Sequence, residues 1–249
     1  MAQPGFASAV IKISGLKKSF GTNQVLNGFD MELFEGENLV VMGKSGSGKS
    51  VMIKCIVGLV EPDSGTIEVM GRDMTQLNEL ELDEMRTEVG FLFQGSALYD
   101  SMTVRQNLEF PLRRHVRKFG KIDDVTPLAI EALQSVGLAD AIDLMPEELS
   151  GGMKRRVALA RTLILKPKII LYDEPTTGLD PITAKEIIAL IESVQSQYKT
   201  SSVIITHDVD CARSIADRMI LLIDGINYAQ GTFDVLSQSS DAQVAAFFK

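Results

Sequence analysis

The stretch GKSGSGKS, from Gly43 to Ser50, fits the pattern G-x-x-x-x-G-K-[ST]. In such a loop the main-chain N–H groups wrap phosphates, the lysine (Lys49) reaches the β- and γ-phosphates, and the last hydroxyl (Ser50) binds Mg²⁺. Gly43, Lys44, Ser45, Gly46, Ser47 and Gly48 form the cradle itself. A magnesium site needs a further oxygen ligand, and LYDE, Leu171 to Glu174, offers two adjacent carboxylates after an apolar run. Asp173 suits the metal, directly or through water. Glu174 suits a general base that polarises the attacking water. His207 follows SVIIT, and Gln94 follows the apolar run Val89 to Phe93. A neutral imidazole at His207 can bond a γ-phosphate or the attacking water, although a lone histidine is more often structural. The Gln94 amide oxygen can reach the metal or the water, or simply face solvent in a loop.

A second phosphate-binding pattern lies far away. In LSGGMKRRVALA, Leu149 to Ala160, a serine and two glycines (Ser150, Gly151, Gly152) open a helix. Free N–H groups at a helix start attract anions, and bare glycines let a phosphate come close. One ATP cannot easily fill both loops of one chain. Two copies related by a two-fold axis resolve this, because each Ser150-Gly151-Gly152 then meets the γ-phosphate held by the partner copy, and one operator closes both sites. The plainer alternative makes Gly151-Gly152 a helix-entry turn.

These residues need elements to position them. Residues 9–42 read as a β layer, in which Phe29, Met31 and Leu33 alternate with Asp30 and Glu32. Leu39 to Met42 is an unbroken apolar strand of the kind buried on both faces. A helix follows the phosphate loop, with apolar residues to Val60, and must end before Pro62. Asp63-Ser64-Gly65 turns into a strand from Thr66 to Val69, and helix begins near Leu77. After Gln94 a long helical region extends to about Leu165, with Ala129, Leu133 and Val136 at helical spacing and Gly137 suited to a C-terminal cap. The α/β rhythm then returns: strand Ile169 to Tyr172, a helix opened by Pro181, strand Ser202 to Thr206, a helix around Ala212 and Ile215, strand Met219 to Ile223, and a hairpin turn at Asp224-Gly225. This alternation implies a mainly parallel sheet covered on both faces.

A chain of 249 residues, 45% hydrophobic, can bury a full core. Its net charge of −8 and lack of a long basic run argue against nucleic acid as a partner. The cluster Arg113, Arg114, Arg117 and Lys118 reads as a solvated helix face. Cys55 and Cys211 sit in apolar helical patterns and read as buried thiols in a reducing compartment. No run is long enough to span a bilayer, and MAQPGFASA lacks the features of a signal peptide. Membrane work is therefore expected from the cytoplasmic side, through a partner. No N-K-x-D-like base-reading motif of a GTPase occurs, and no basic amphipathic helix suggests direct lipid binding.

The ordered set of motifs resembles the ATP-binding cassette (ABC) ATPases over roughly Val10 to Gly231. In that resemblance Gly43 to Ser50 is the Walker A loop, Gln94 the Q-loop glutamine, LSGGM the signature, Leu171 to Glu174 the end of Walker B, GLD ending at Asp180 the D-loop, and His207 the switch histidine. Phe20, in LKKSFG, matches the aromatic that stacks on adenine. The resemblance implies one ABC ATPase domain over 1–249. Residues 9–93 and 166–249 would form a P-loop (RecA-like), mainly parallel core with an N-terminal antiparallel β subdomain, and 95–165 an inserted helical subdomain. It implies ATP and Mg²⁺ as ligands, a homodimer, an integral membrane permease as partner, and a place on the inner face of the cell membrane.

Met153 departs from the glutamine that most importer ATPases carry after the two glycines, although the phosphate contacts come from Ser150 and glycine backbone. The strings LMPEELSGGMKRRVALAR and FQGSALYDSMTVRQNLEFPL look like the branch that powers Mla/Mce-type lipid transporters. That branch implies phospholipid or related lipid as cargo and an Mce-domain lipid-binding protein in the complex. With Lys249 as the last residue, the resemblance implies a member without the extended C-terminal tail that some carry. The alternatives are an ABC ATPase for another envelope lipid or small molecule, and a soluble ABC ATPase of DNA repair or translation. The latter would bring long coiled-coil insertions, basic surfaces or a second cassette. Between Gln94 and Leu112, the apolar Ala97, Leu98, Tyr99, Met102, Val104, Leu108, Phe110 and Leu112 divide between the lobe's own core and a groove for a permease helix. Tyr99 and Met102 are the expected groove residues.

Overall fold

The computed structural model describes residues 8–115 and 124–248. Arg117 and Lys118 of the basic cluster, most of the N-terminal segment and Lys249 lie outside the described residues. Strands β1 (Ala9–Phe20) and β2 (Asn23–Phe34) form an antiparallel pair. They join β4 (Ser64–Val69) and β5 (Arg72–Asp73) in a four-stranded sheet of order β2-β1-β4-β5. The second sheet contains β3 (Asn38–Met42), β6 (Val89–Leu92), β7 (Ile169–Asp173), β8 (Ser201–Thr206), β9 (Arg218–Ile223) and β10 (Ile226–Gly231), in the order β10-β9-β3-β8-β7-β6. All neighbours are parallel except β10 on β9. Asp224 and Gly225 between those two both have positive φ, the geometry of a tight two-residue hairpin. The expected α/β fold, with an antiparallel β layer and a mainly parallel sheet, is thus the fold of the chain.

Every residue of β3, β7 and β8 is buried. Alternate residues divide between two cores, as the pleat requires. Leu39, Val41, Leu171, Val203 and Ile205 pack toward the antiparallel sheet and α1 (Lys49–Ile56). Val40, Met42, Ile170, Tyr172 and Ile204 pack toward the helices on the other side. Those helices are α3 (Val104–Arg114), α4 (Thr126–Ser135), α5 (Gly151–Leu163), α6 (Pro181–Tyr198) and α7 (Val209–Ile215). Helix α2 (Glu79–Glu88) leads into β6, and two short helices, α8 (Phe233–Ser237) and α9 (Ala242–Ala245), follow β10. Cys55 and Cys211 are buried free thiols, pushed up to about 11 and about 12 by burial.

Two boundaries differ from the sequence reading. Helix α1 stops at Ile56, short of Val60, because Gly58 wraps its end: Leu59 N–H donates to Lys54 O and Gly58 N–H to Cys55 O. The same wrap, built on Gly137, closes α4 as expected. The region after Gln94 is not one helical run. Residues 95–103 are turns, and α3 starts only where Thr103 and Gln106 exchange side-chain-to-backbone bonds as a capping box. The turns are held by buried Asn107, whose Nδ2 donates to the carbonyls of Tyr99, Met102 and Thr103 and whose Oδ1 accepts Tyr99 N–H.

Candidate nucleotide site

The parallel strands deliver their carboxyl ends to one edge of the sheet, where open α/β sheets bind ligands. β3 ends at the loop Gly43 to Ser50, β6 ends just before Gln94, β7 ends on Asp173, and β8 ends just before His207. The result is a cleft of about 590 Å³. Phe20, Ser45, Gly46, Ser47, Gly48, Lys49, Ser50, Gln94, Glu174 and His207 all line it. A larger cleft of about 790 Å³ flanks the same loop on its other side, but it contains neither Glu174 nor His207. The smaller one gathers the residues expected to do chemistry.

Within that cleft the charges are arranged in pairs. Lys49 is buried, and its Nζ donates to Gly43 O at 2.8 Å and Lys44 O at 3.2 Å, 3.7 Å from Glu174 Oε1. Burial pulls its pKa below the usual lysine value, with Glu174 opposing. An anion at the loop would supply the charge this ammonium lacks. Ser50 Oγ donates to Asp173 Oδ1 at 2.9 Å, so the two oxygen donors expected for Mg²⁺ stand against each other. They are hard ligands, and Mg²⁺ binds through one or two carboxylates plus waters and substrate phosphates, so the pair fits it. Burial raises the Asp173 carboxyl, offset by the Ser50 bond.

Glu174 is buried with φ 51°, a left-handed backbone rare for a non-glycine residue. Its Oε2 lies 2.8 Å from His207 Nδ1 and accepts the Thr177 hydroxyl at 3.1 Å. Gly48, at φ 103°, lies where a Cβ would fall 2.8 Å from Val25 Cγ1, so the loop runs tight against β2. Phe20 stands at the rim, 51% exposed, with Lys18 Nζ 5.4 Å from its ring centroid.

Seven expected residues lie outside this cleft's lining: Gly43, Lys44 and Asp173, which touch lining residues by sequence or hydrogen bond, and Ser150, Gly151, Gly152 and Asp180. Ser150 caps α5 through Oγ, which accepts Met153 N–H at 3.2 Å. Gly151 is exposed and open, its nearest neighbour to a Cβ being Leu179 at 3.7 Å. Gly152 is buried, and a Cβ there would come within 2.5 Å of Thr183 Cγ2. Its bareness therefore serves packing of α5 on α6, whereas Gly151 alone presents open backbone. Asp180 caps α6, accepting the N–H groups of Ile182 and Thr183, both at 3.0 Å, and the Thr183 hydroxyl. Those bonds hold its carboxyl below the usual range. The Met153 side chain packs on the helical core.

Sequence reasoning missed Thr177 and Arg155. Thr177 lines the cleft. Arg155 is 4% exposed inside α5. Its spacing from Gly152, Leu159 and Leu163 places it on the buried stripe of that helix, a signal the sequence does carry.

A phosphate loop, an adjacent carboxylate pair ending β7, and a glutamine and a histidine after the strands on either side of β7 come together at this edge of the sheet. The family model described as ABC transporter matches residues 26–177. The chain belongs to the ABC transporter family. As an ABC ATPase it binds ATP with Mg²⁺ and hydrolyses it, and it is the ATP-binding subunit of a transporter. A similar curated protein is the probable ribonucleotide transport ATP-binding protein mkl of Mycobacterium leprae, 39% identical over 95% of this chain and 68% of that one. The methionine import ATP-binding protein MetN of Brucella abortus is 36% identical over 92% of this chain and 61% of its own length. Among solved structures, the dimeric post-hydrolysis cassette MJ0796 with ADP and phosphate superposes with a TM-score of 0.81 at 32% identity, over 90% of this chain and 98% of that one. cbiO1 of Clostridium perfringens, part of the transporter complex cbiONQ, gives 0.83 at 27% identity, over 93% and 92%. ABC ATPases of this kind dimerise and couple to a membrane permease. Among the described residues no helix is long and apolar enough to cross a membrane.

Proposed function

We propose that this ATPase powers a bacterial transporter that carries phospholipid or a related lipid between the inner and outer membranes. The observation that carries the cargo assignment is the pair of strings from Phe93 to Leu112 and from Leu144 to Arg161, with Met153 after the glycines. The chain would sit on the inner face of the inner membrane through its permease, with an Mce-domain lipid-binding protein in the same complex. A small-molecule cargo is the second reading, favoured by relatives named for ribonucleotide transport and methionine import.

In this reading Lys49 holds the β- and γ-phosphates, and Phe20 stacks on adenine. Ser50 and Asp173, with Gln94, would hold Mg²⁺, which would neutralise charge on the phosphates. Glu174 takes the proton of the attacking water, and His207, now against Glu174, turns to the γ-phosphate. Ser150 and Gly151 act on the partner's nucleotide, because both lie outside their own cleft's lining. Asp180 shapes the start of α6 beside that junction.

Residues 95–165 would pass closure of the dimer to the permease, as an inserted lobe on the core formed by 9–93 and 166–249. Of the apolar residues from Ala97 to Leu112, Val104, Leu108 and Leu112 are buried and serve the core. Tyr99 is 44% exposed, against Phe110 and beneath Arg161, and Met102 is half-buried. A separate cleft of about 290 Å³, lined by Leu59, Phe91, Phe93, Pro111 and Leu165 among others, opens on the residues just before Gln94. That cleft with Tyr99 is the docking face for a short permease helix. The test is what co-purifies with the chain from detergent-solubilised membranes. A permease with an Mce-domain protein supports the lipid reading; a substrate-binding protein for amino acids or nucleotides overturns it.

A further inference from the structure

Arg155 lies one turn into α5, behind the Ser150-Gly151 end that is to meet the partner's nucleotide. Its guanidinium leaves that helix for two loops of its own chain's cleft. Nη1 donates to Phe93 O at 2.8 Å, the carbonyl next to Gln94, and Nη2 reaches Thr177 O at 3.4 Å. The Thr177 hydroxyl donates to Glu174 Oε2, the oxygen that also faces His207. Nε is buried without a partner among the described residues. A buried guanidinium with an idle donor is costly, so stability alone is a poor reason for it. Both loops it grips carry backbone strain: Glu174 at φ 51°, and Ser96 and Ala97 at 62° and 48°. Strained non-glycine residues persist where surrounding contacts over-determine them. Arg161, farther along α5, holds the same passage at Ser96 O, so the helix grips the Gln94 loop at two points.

We infer that Arg155 is a positioning residue that links the two nucleotide sites of the dimer: docking of α5 on the partner's nucleotide shifts Phe93 and Thr177, and through Thr177 sets Glu174 in its own site. The inference rests on the proposal that each site is shared between two chains. In the single chain the Thr177 hydroxyl already holds Glu174 Oε2, while Oε1 faces Lys49 at 3.7 Å. Docking of α5 would tighten that hold through Arg155, so each site is to fire best when both are filled.

The test uses the full chain, measuring steady-state hydrolysis against Mg-ATP concentration and dimer formation by gel filtration. Wild type should show a Hill coefficient above one. In Arg155→Gln it should fall to about one, with kcat down roughly tenfold, as loss of a charged hydrogen bond predicts, and KM within about twofold. Thr177→Val removes only the hydroxyl; it should lower kcat in the same way, and Thr177→Ser should restore it. If Arg155→Gln does not fold, Arg155→Lys keeps the buried charge but cannot span both carbonyls, and should fold and lose cooperativity. Folded Arg155 variants with wild-type cooperativity overturn the inference alone. A Glu174→Gln chain that binds ATP yet never dimerises in Mg-ATP overturns the shared-site reading as well.

Discussion

The two glycines of the LSGGM segment should answer very differently to a single added methyl. At Gly152 a Cβ would sit 2.5 Å from Thr183 Cγ2, about an ångström inside ordinary contact. Thr183 cannot swing aside freely, because its hydroxyl and its N–H are both bound to Asp180. Overpacking of this sort costs ~1–3 kcal/mol. The gain in helix propensity from glycine to alanine offsets at most ~1 kcal/mol. Gly152→Ala should therefore lose ~1–2 kcal/mol, a Tm lower by roughly 2–8 °C for a chain of this size. Gly151→Ala meets nothing closer than 3.7 Å and should match or slightly exceed wild type. The assay is thermal unfolding of nucleotide-free protein, with Thr183→Ser as partner substitution, since serine keeps the hydroxyl bound to Asp180 and deletes Cγ2. The double variant should recover most of the loss. A Gly152→Ala protein as stable as wild type, or one that Thr183→Ser does not rescue, would refute the packing role.

Other outcomes follow from the cleft. Lys49→Ala removes the buried ammonium and should weaken ATP binding by roughly ten- to a hundredfold, read by titration calorimetry. Glu174→Gln should keep ATP bound while hydrolysis stops, so dimers accumulate in Mg-ATP; a monomer on gel filtration would contradict the role of Glu174. Asp173→Asn should raise the Tm of nucleotide-free protein at neutral pH while abolishing hydrolysis. Because burial lifts the folded-state pKa of Asp173 above its unfolded value, the charged form costs stability at neutral pH, so the gain should shrink as pH falls from the raised value toward about 4 and vanish below it. A pH-independent gain would point to another cause. Tyr99→Asp with Met102→Asp should leave basal hydrolysis intact and abolish assembly with the permease; normal assembly would move the coupling face elsewhere.

Much of this was legible before the fold. The buried run Leu39 to Met42, the phosphate loop behind it and the carboxylates ending Leu171 to Glu174 read correctly because periodicity and turn chemistry are local. What failed was also physical. Val60 looked helical because apolar spacing continued past Gly58, and only the wrapped end reveals the stop. The turns after Gln94 escaped because the side chain of Asn107, a polar residue inside the following helix, fixes them, and no apolar periodicity signals such a tie. Gly152 looked like Gly151 because a sequence does not say which bare backbone faces a neighbouring helix. Thr177 reads as a plain loop residue until the Glu174 carboxylate stands beside it.

The central claim is that each ATP is worked on by two chains, and mixed dimers test it most directly. A chain with Lys49→Ala paired with a chain carrying Gly151→Asp puts both defects in one composite site and leaves the other whole. Both substitutions on one chain, paired with wild type, damage both sites. The first mixture should keep substantial turnover and the second should lose nearly all of it; equal turnover from the two would contradict the shared site.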